Sequence, residues 1–126
     1  MKRIYIALAL LAAVAALCVG AHLYLHTQTD RMLTALDDIE EAYHKGDVET
    51  AQQQAQAFAA EYRRVCDWVS CYVAHSELRE SRETAALLPT LIANGDRNGL
   101  YMEIARLRAQ LEYIRRVDDA ILRNIL

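Results

Sequence analysis

From Ile4 to Ala21 the chain is apolar without a break apart from Gly20, and Leu23, Tyr24 and Leu25 carry the run past His22. A helix that is apolar on every face has to be covered by lipid or by a larger protein. Taken as one helix, residues 4–25 span about 33 Å, the thickness of a bilayer's hydrocarbon core. Lys2 and Arg3 precede the run and Asp30 follows it. The positive-inside bias therefore puts residues 1–3 in the cytoplasm and everything after the helix outside the cell membrane. Tyr5 and Tyr24 fall near the two interfaces, where amphipathic rings settle.

Cleavage is the rival reading. Val19, Gly20 and Ala21 are residues of the kind found at signal-peptidase sites, and cleavage there would release a secreted helical protein. The length of the run favours a retained single-pass anchor. A lipidation signal at Cys18 fits badly, because Leu17 stands where such signals carry a small residue. Ala12, Ala16 and Gly20 recur every fourth residue on one face. That spacing lets two membrane helices approach closely, so the three are candidates for a homodimer face, although Ala-rich anchors also contain such spacings by chance.

About a hundred residues remain beyond the anchor, enough for one domain with a modest core. Two of the 14 Lys and Arg lie before the anchor, leaving 12 against 17 Asp and Glu beyond it, a net charge of −5. Nucleic acid is excluded as a partner, since it demands a basic footprint. Acid is densest at Asp30, Asp37, Asp38, Glu40, Glu41 and Asp47, and the last segment leans basic, from Arg97 to Arg123. Solvated faces that complement each other across a bundle account for this distribution.

One Pro and four Gly in 126 residues, with Ala, Leu, Glu, Gln and Arg abundant, favour helix, and no segment alternates like a strand. The apolar positions fall in four helical stretches. Met32, Leu36, Ile39 and Tyr43 form the first, and Ala51, Ala55, Phe58, Tyr62, Val65, Val69 and Tyr72 the second. Leu78, Leu87, Leu88, Leu91 and Ile92 form the third, and Leu100, Ile104, Leu107, Leu111 and Ile114 the fourth, with Ile121 and Ile125 beyond. Steps of three and four mark a buried stripe on an amphipathic helix.

Lys45–Gly46–Asp47 and Asn94–Gly95–Asp96 are near-copies 49 residues apart. In each, Gly suits the left-handed position that closes a helix, and the following Asp can cap the next one. The boundary between two hairpins of similar plan, residues 27–75 and 76–126, falls near His75–Ser76, with Ser76 as an N-cap and Glu77 favouring a helix start. Pro89 removes a backbone donor and is expected to kink the third helix. The first soluble helix either continues the membrane helix or starts afresh with Thr27 and Asp30 as caps.

The expected fold is therefore all-α: a transmembrane helix over 4–25, then a four-helix bundle over 27–126 made of two helical hairpins. It is tetratricopeptide-like in plan, although such repeats run about 34 residues.

The chemistry candidates are weak one by one. Cys66 and Cys71, on one helix, lie about 140° apart around the axis and too far apart along it for a disulfide, so both read as small core residues. An intermolecular disulfide in an oxidising compartment is the remaining alternative. Glu41 and His44 have the E-x-x-H spacing of di-iron bundles, but no second pair exists, and His44 reads as an exposed residue at a helix end. His75–Ser76–Glu77 lacks the P-C-x-x-C that zinc deaminases require. Cys71 and His75 stand one turn apart with no third orienting group. His22 and His26, one turn apart at the outer membrane edge, read as snorkelling side chains before they read as a metal or pH-sensing pair. No phosphate loop or nucleophile elbow occurs. The chain is read as a non-enzyme, with no catalytic, cofactor or metal residues assigned.

A short basic start, an apolar helix, an acidic helix, a Gly-Asp turn, Trp68, then His75–Ser76–Glu77, the stretch from Leu107 to Ile114 and a final Asn124–Ile125–Leu126 follow in order. Over essentially its full length the chain resembles a membrane-anchored bacterial family of Firmicutes, domain of unknown function 4363. It carries more Ala and Arg than that family, which is usually richer in Lys and Glu. The resemblance implies an anchored helical domain and brings no catalytic residues.

The function expected from all of this is a protein–protein interaction or assembly module at the cell envelope, with the bilayer and an envelope protein as partners. Trp68, Tyr72 and the Arg115–Arg116 pair are the interface candidates, although Trp68 reads first as a core residue. The alternative is a ligand- or metal-responsive sensor domain using His75, Cys71 or the His22/His26 pair.

Overall fold

The structure, a computed structural model, describes residues 1–69 and 75–125; the side chains at 69, 75–77, 121, 122 and 125 lie outside the description. Four helices account for almost all of it: α1 (Lys2–His44), α2 (Val48–Val69), α3 (His75–Ala93) and α4 (Arg97–Ile125). No strand occurs among the described residues.

α1 runs unbroken for 43 residues. Of the two sequence alternatives the continuous one is realised, and no new helix starts at Thr27. The helix changes character partway along. From residue 2 to residue 20 every side chain except the half-buried Cys18 is exposed, and this half is long and apolar enough to cross a membrane. From Leu25 onward it buries Leu25, Thr29, Met32, Leu36 and Ile39, steps of four and three that hold one face against the bundle. Packing thus begins two residues ahead of the boundary expected at 27.

Both Gly-Asp turns have the same geometry. Gly46 and Gly95 take φ of 84° and 68°, a region where a Cβ is strained. At the first turn the Asp47 N–H donates to the Ala42 carbonyl and the Gly46 N–H to that of Tyr43; at the second, Asp96 donates to Leu91 and Gly95 to Ile92. These are Schellman closures that satisfy the orphan carbonyls of each helix end. Asp47 Oδ1 then accepts from the Thr50 N–H at 3.2 Å, and Asp96 Oδ1 from the Gly99 N–H at 3.0 Å, capping α2 and α4. Hydrogen bonds from Thr50, through its side chain and its backbone, hold the Asp47 carboxyl below the usual range.

Each helix packs against two neighbours around a square: α1 on α2 and α4, and α3 on α2 and α4. The contacts run antiparallel. Along the α1–α4 seam Arg97 meets His44, Arg108 meets Asp37 and Glu40, and Arg115 meets Asp30. Across α2 and α3, Gln52 donates to the carbonyl of Pro89 while Asp67 pairs with Arg82. The acidic face of α1 and the basic face of α4 thus meet directly.

The core is made of the expected stripes, from Ala51, Ala55, Phe58, Tyr62 and Val65 on α2 to Leu100, Ile104, Leu107, Leu111 and Ile114 on α4. Leu87 departs from the expectation and is half-exposed. Its neighbour Leu88 takes the inward position, in register with Leu78, Ala85 and Ile92. Three hydroxyls are buried, Thr29 in the stripe that continues from Leu25, and Ser81 and Thr84 on α3. Each donates to a carbonyl of its own helix: Thr29 to Leu25, Ser81 to Leu78 and Thr84 to Glu80. This satisfies Thr29 and Thr84 within their own helices, whereas Ser81 also faces Tyr62 and Cys66 of α2 across the core.

Candidate functional site at the foot of the bundle

The end of the bundle nearest the apolar half of α1 brings several of the singled-out side chains together with two carboxylates, Asp118 and Asp119, that the sequence did not single out. α1 supplies His22, Tyr24, His26 and Asp30; α2 supplies Trp68; α4 supplies Arg115, Arg116, Asp118 and Asp119. They converge because α1 and α4 run antiparallel, which brings the last turns of α4 beside the point where α1 turns from all-round apolar to striped.

Two histidines one turn apart meet different partners. His22 Nδ1 pairs with Asp118 Oδ2, and its Nε2 lies 3.8 Å from Asp119 Oδ1. The His22 and Asp118 side chains keep 18% and 14% of their exposure, so this pairing sits half inside the seam. His26 faces Arg115 instead. The Arg115 guanidinium donates to the imidazole, with Nη2 2.9 Å from Nε2 and Nε 3.4 Å from Nδ1, and it also pairs with Asp30. The two rings lie 6.0 Å apart but share no partner, so the His22/His26 pair does not form a joint site.

Trp68 stands 49% exposed, although its place on a long amphipathic helix had suggested the core. Its ring meets Tyr24 edge to face at 5.6 Å. That contact places the indole level with the C-terminal end of the apolar run. Of the arginine pair, Arg116 is exposed whereas Arg115 is committed to His26 and Asp30. Tyr72 and Cys71 lie outside the described residues, as do the side chains of Val69, His75, Ser76, Glu77, Ile121 and Ile125 and the whole of Leu126. Ala12 and Ala16 are exposed, and nothing lies within 4 Å of a Cβ placed on Gly20.

Elsewhere the candidate groups are engaged in structural roles. Cys66 is buried between Tyr62 and the α3 side, and burial pushes its thiol up to about 11. A thiol so protonated is a poor nucleophile and a poor metal ligand at neutral pH. Burial likewise raises the Tyr62 phenol. Glu41 pairs with Lys45 at 2.9 Å, a hydrogen bond that lowers the carboxyl and raises the ammonium, while His44 meets Arg97. The E-x-x-H residues therefore serve two separate contacts. The grooves are open. One of about 260 Å³ lies between α3 and α4 beside Ser81, Thr84 and Gln110, and one of about 200 Å³ between α1 and α2 beside Met32 and Phe58.

The comparison with known proteins adds one match: the family model for a domain of unknown function (DUF4363) covers residues 19–125. That span starts near the end of the apolar run and takes in the foot and the whole bundle. No curated protein and no solved structure matches the chain.

Proposed function

The chain belongs to the DUF4363 family, and on that premise we propose that it is a non-catalytic assembly module, anchored by one membrane helix, which presents its bundle to a protein of the cell envelope. The anchor is the apolar half of α1, with residues 1–3 in the cytoplasm and the bundle outside, as Lys2 and Arg3 favour. One observation carries the reading: α1 passes from apolar anchor to bundle wall without a break. A domain on a flexible tether samples many orientations, whereas one built onto its own anchor helix is held at one height and one tilt. Binding a partner in the same membrane then loses little further orientational freedom, and confinement raises the effective concentration.

The foot fits this arrangement. Trp68 and Tyr24 sit level with the membrane edge, where amphipathic rings bind well. Exposed Arg116 lies on the same end and adds a charge suited to lipid phosphate or to an acidic partner. The grooves between α3 and α4 and between α1 and α2 are open, and shallow grooves suit a partner helix.

Crosslinking of the full-length chain in its native membrane, followed by mass spectrometry, tests the reading. A defined envelope protein should be captured by the intact chain, and W68A and R116E should reduce that capture. Capture of the same set by the anchor helix fused to an unrelated domain would overturn it.

A further inference from the structure

The seam between α1 and α4 changes chemistry along its length. At the outer end and in the middle, carboxylates of α1 face arginines of α4: Asp37 and Glu40 with Arg108, then Asp30 with Arg115. At the foot the order reverses. Two consecutive carboxylates of α4, Asp118 and Asp119, face one imidazole of α1. We propose that His22, Asp118 and Asp119 form a site for one divalent cation of the zinc class, clasping the membrane-proximal ends of α1 and α4.

The donor set favours such an ion. One ring nitrogen and one oxygen from each carboxylate lie within 4.8 Å of one another. Zinc at about 2.0–2.2 Å from each donor would place the donors about 3.5 Å apart, so side-chain rotations of about an ångström complete the set. Mixed imidazole and carboxylate ligands suit borderline cations such as Zn²⁺, whereas Ca²⁺ and Mg²⁺ prefer all-oxygen shells. Three protein ligands leave a position for water or for a group from outside, as open zinc sites do.

The two ring nitrogens of His22 point at different carboxylates. His26 is unsuited to the same role, because the Arg115 guanidinium already occupies both of its nitrogens. The ligands are 96 residues apart in the chain, so the ion would bind the folded seam and not the unfolded chain. This site goes beyond the docking reading and does not depend on it.

The test uses the full-length chain in zwitterionic detergent micelles, titrated with Zn²⁺ against a chromophoric chelator. We expect one Zn²⁺ per chain, with affinity falling about tenfold or more in H22Q and in the shape-preserving D118N/D119N variant. R79Q, on α3 and away from the foot, should bind like the parent. Helical circular dichroism of each variant separates loss of the site from loss of the fold, and D119N alone, at a half-exposed position, should fold and still bind more weakly. Zinc binding unchanged in the folded D118N/D119N variant, no stoichiometric binding by the parent, or binding of Mg²⁺ or Ca²⁺ in preference to Zn²⁺ would each overturn the proposal.

Discussion

The two halves of α1 share one backbone and meet opposite surroundings. Residues 2–20 bury almost nothing, whereas from Leu25 to Ile39 one residue per turn is sealed in the core. The apolar residue types are similar in both halves, and helix formation is favoured throughout by Ala and Leu. What differs is their arrangement around the axis: all-round in the first half, one stripe in the second. Lipid can cover every face of a helix, but a bundle covers only one; the first half is long and apolar enough to cross a membrane, and the second is patterned for a bundle. The same contrast locates the foot, since side chains that suit neither lipid nor core, among them His22 and His26, collect where one pattern gives way to the other.

Identical truncations in the two halves give the largest test of this contrast. Leu36 is fully buried, so L36A should cost about 2–5 kcal/mol through lost burial and a residual cavity. L10A, at an exposed site, should stay within about 0.5 kcal/mol. Urea unfolding of the full chain in micelles reads both, and equal losses would break the comparison. Charge reverses the sensitivity. L10R should oppose membrane insertion by about 2.5–3.5 kcal/mol and shift the protein toward the carbonate-extractable fraction, whereas T34R, on the exposed face of the bundle half, should leave extraction unchanged.

Smaller effects sharpen the account of the bundle half. G46A forces a side chain into φ of 84° and should cost about 1 kcal/mol, visible as a lower melting temperature with helicity intact. Cys66 gives a pH signature. Its folded-state thiol is pushed up to about 11 from an ordinary value of 9.0. The folded chain thus holds this proton more firmly than the unfolded one. The resulting stability is fully present below pH 9.0 and is lost as pH rises toward about 11. C66A, measured over the same pH range, should lack that part of the alkaline decline.

The stripes and the two turns were legible in the sequence because they rest on local rules. A Gly between a helix end and an Asp states both the left-handed closure and the next cap, and both turns form that way. Complementary charge on the first and last helices was legible too, since the acidic and basic faces are separate runs. Leu87 and Leu88 both read as apolar stripe positions, but only Leu88 is in register with Leu78, Ala85 and Ile92. The buried Thr29, Ser81 and Thr84 fall at stripe spacing from Leu25, Leu78 and Leu88, so their burial could have been inferred once their own carbonyls were counted as partners. Continuity through Thr27 was undecided: a capping residue and an unbroken stripe coexist there, and only packing of Leu25 and Thr29 chooses. Nothing local could have paired His22 with Asp118. Their meeting depends on the register of the first helix against the last, which is set by the whole bundle.

The unbroken α1 also makes length equivalent to angle. Each residue of an α-helix advances about 1.5 Å and turns about 100°. One residue inserted among the last apolar positions would therefore lift the bundle slightly and swing it by more than a quarter turn about the anchor. Three or four would return it to nearly its first bearing, about one turn higher. In the proposed membrane-anchored arrangement, the spacing between the apolar half and Leu25 would act as a compass setting, fixing which side of the bundle faces a neighbour in the same membrane.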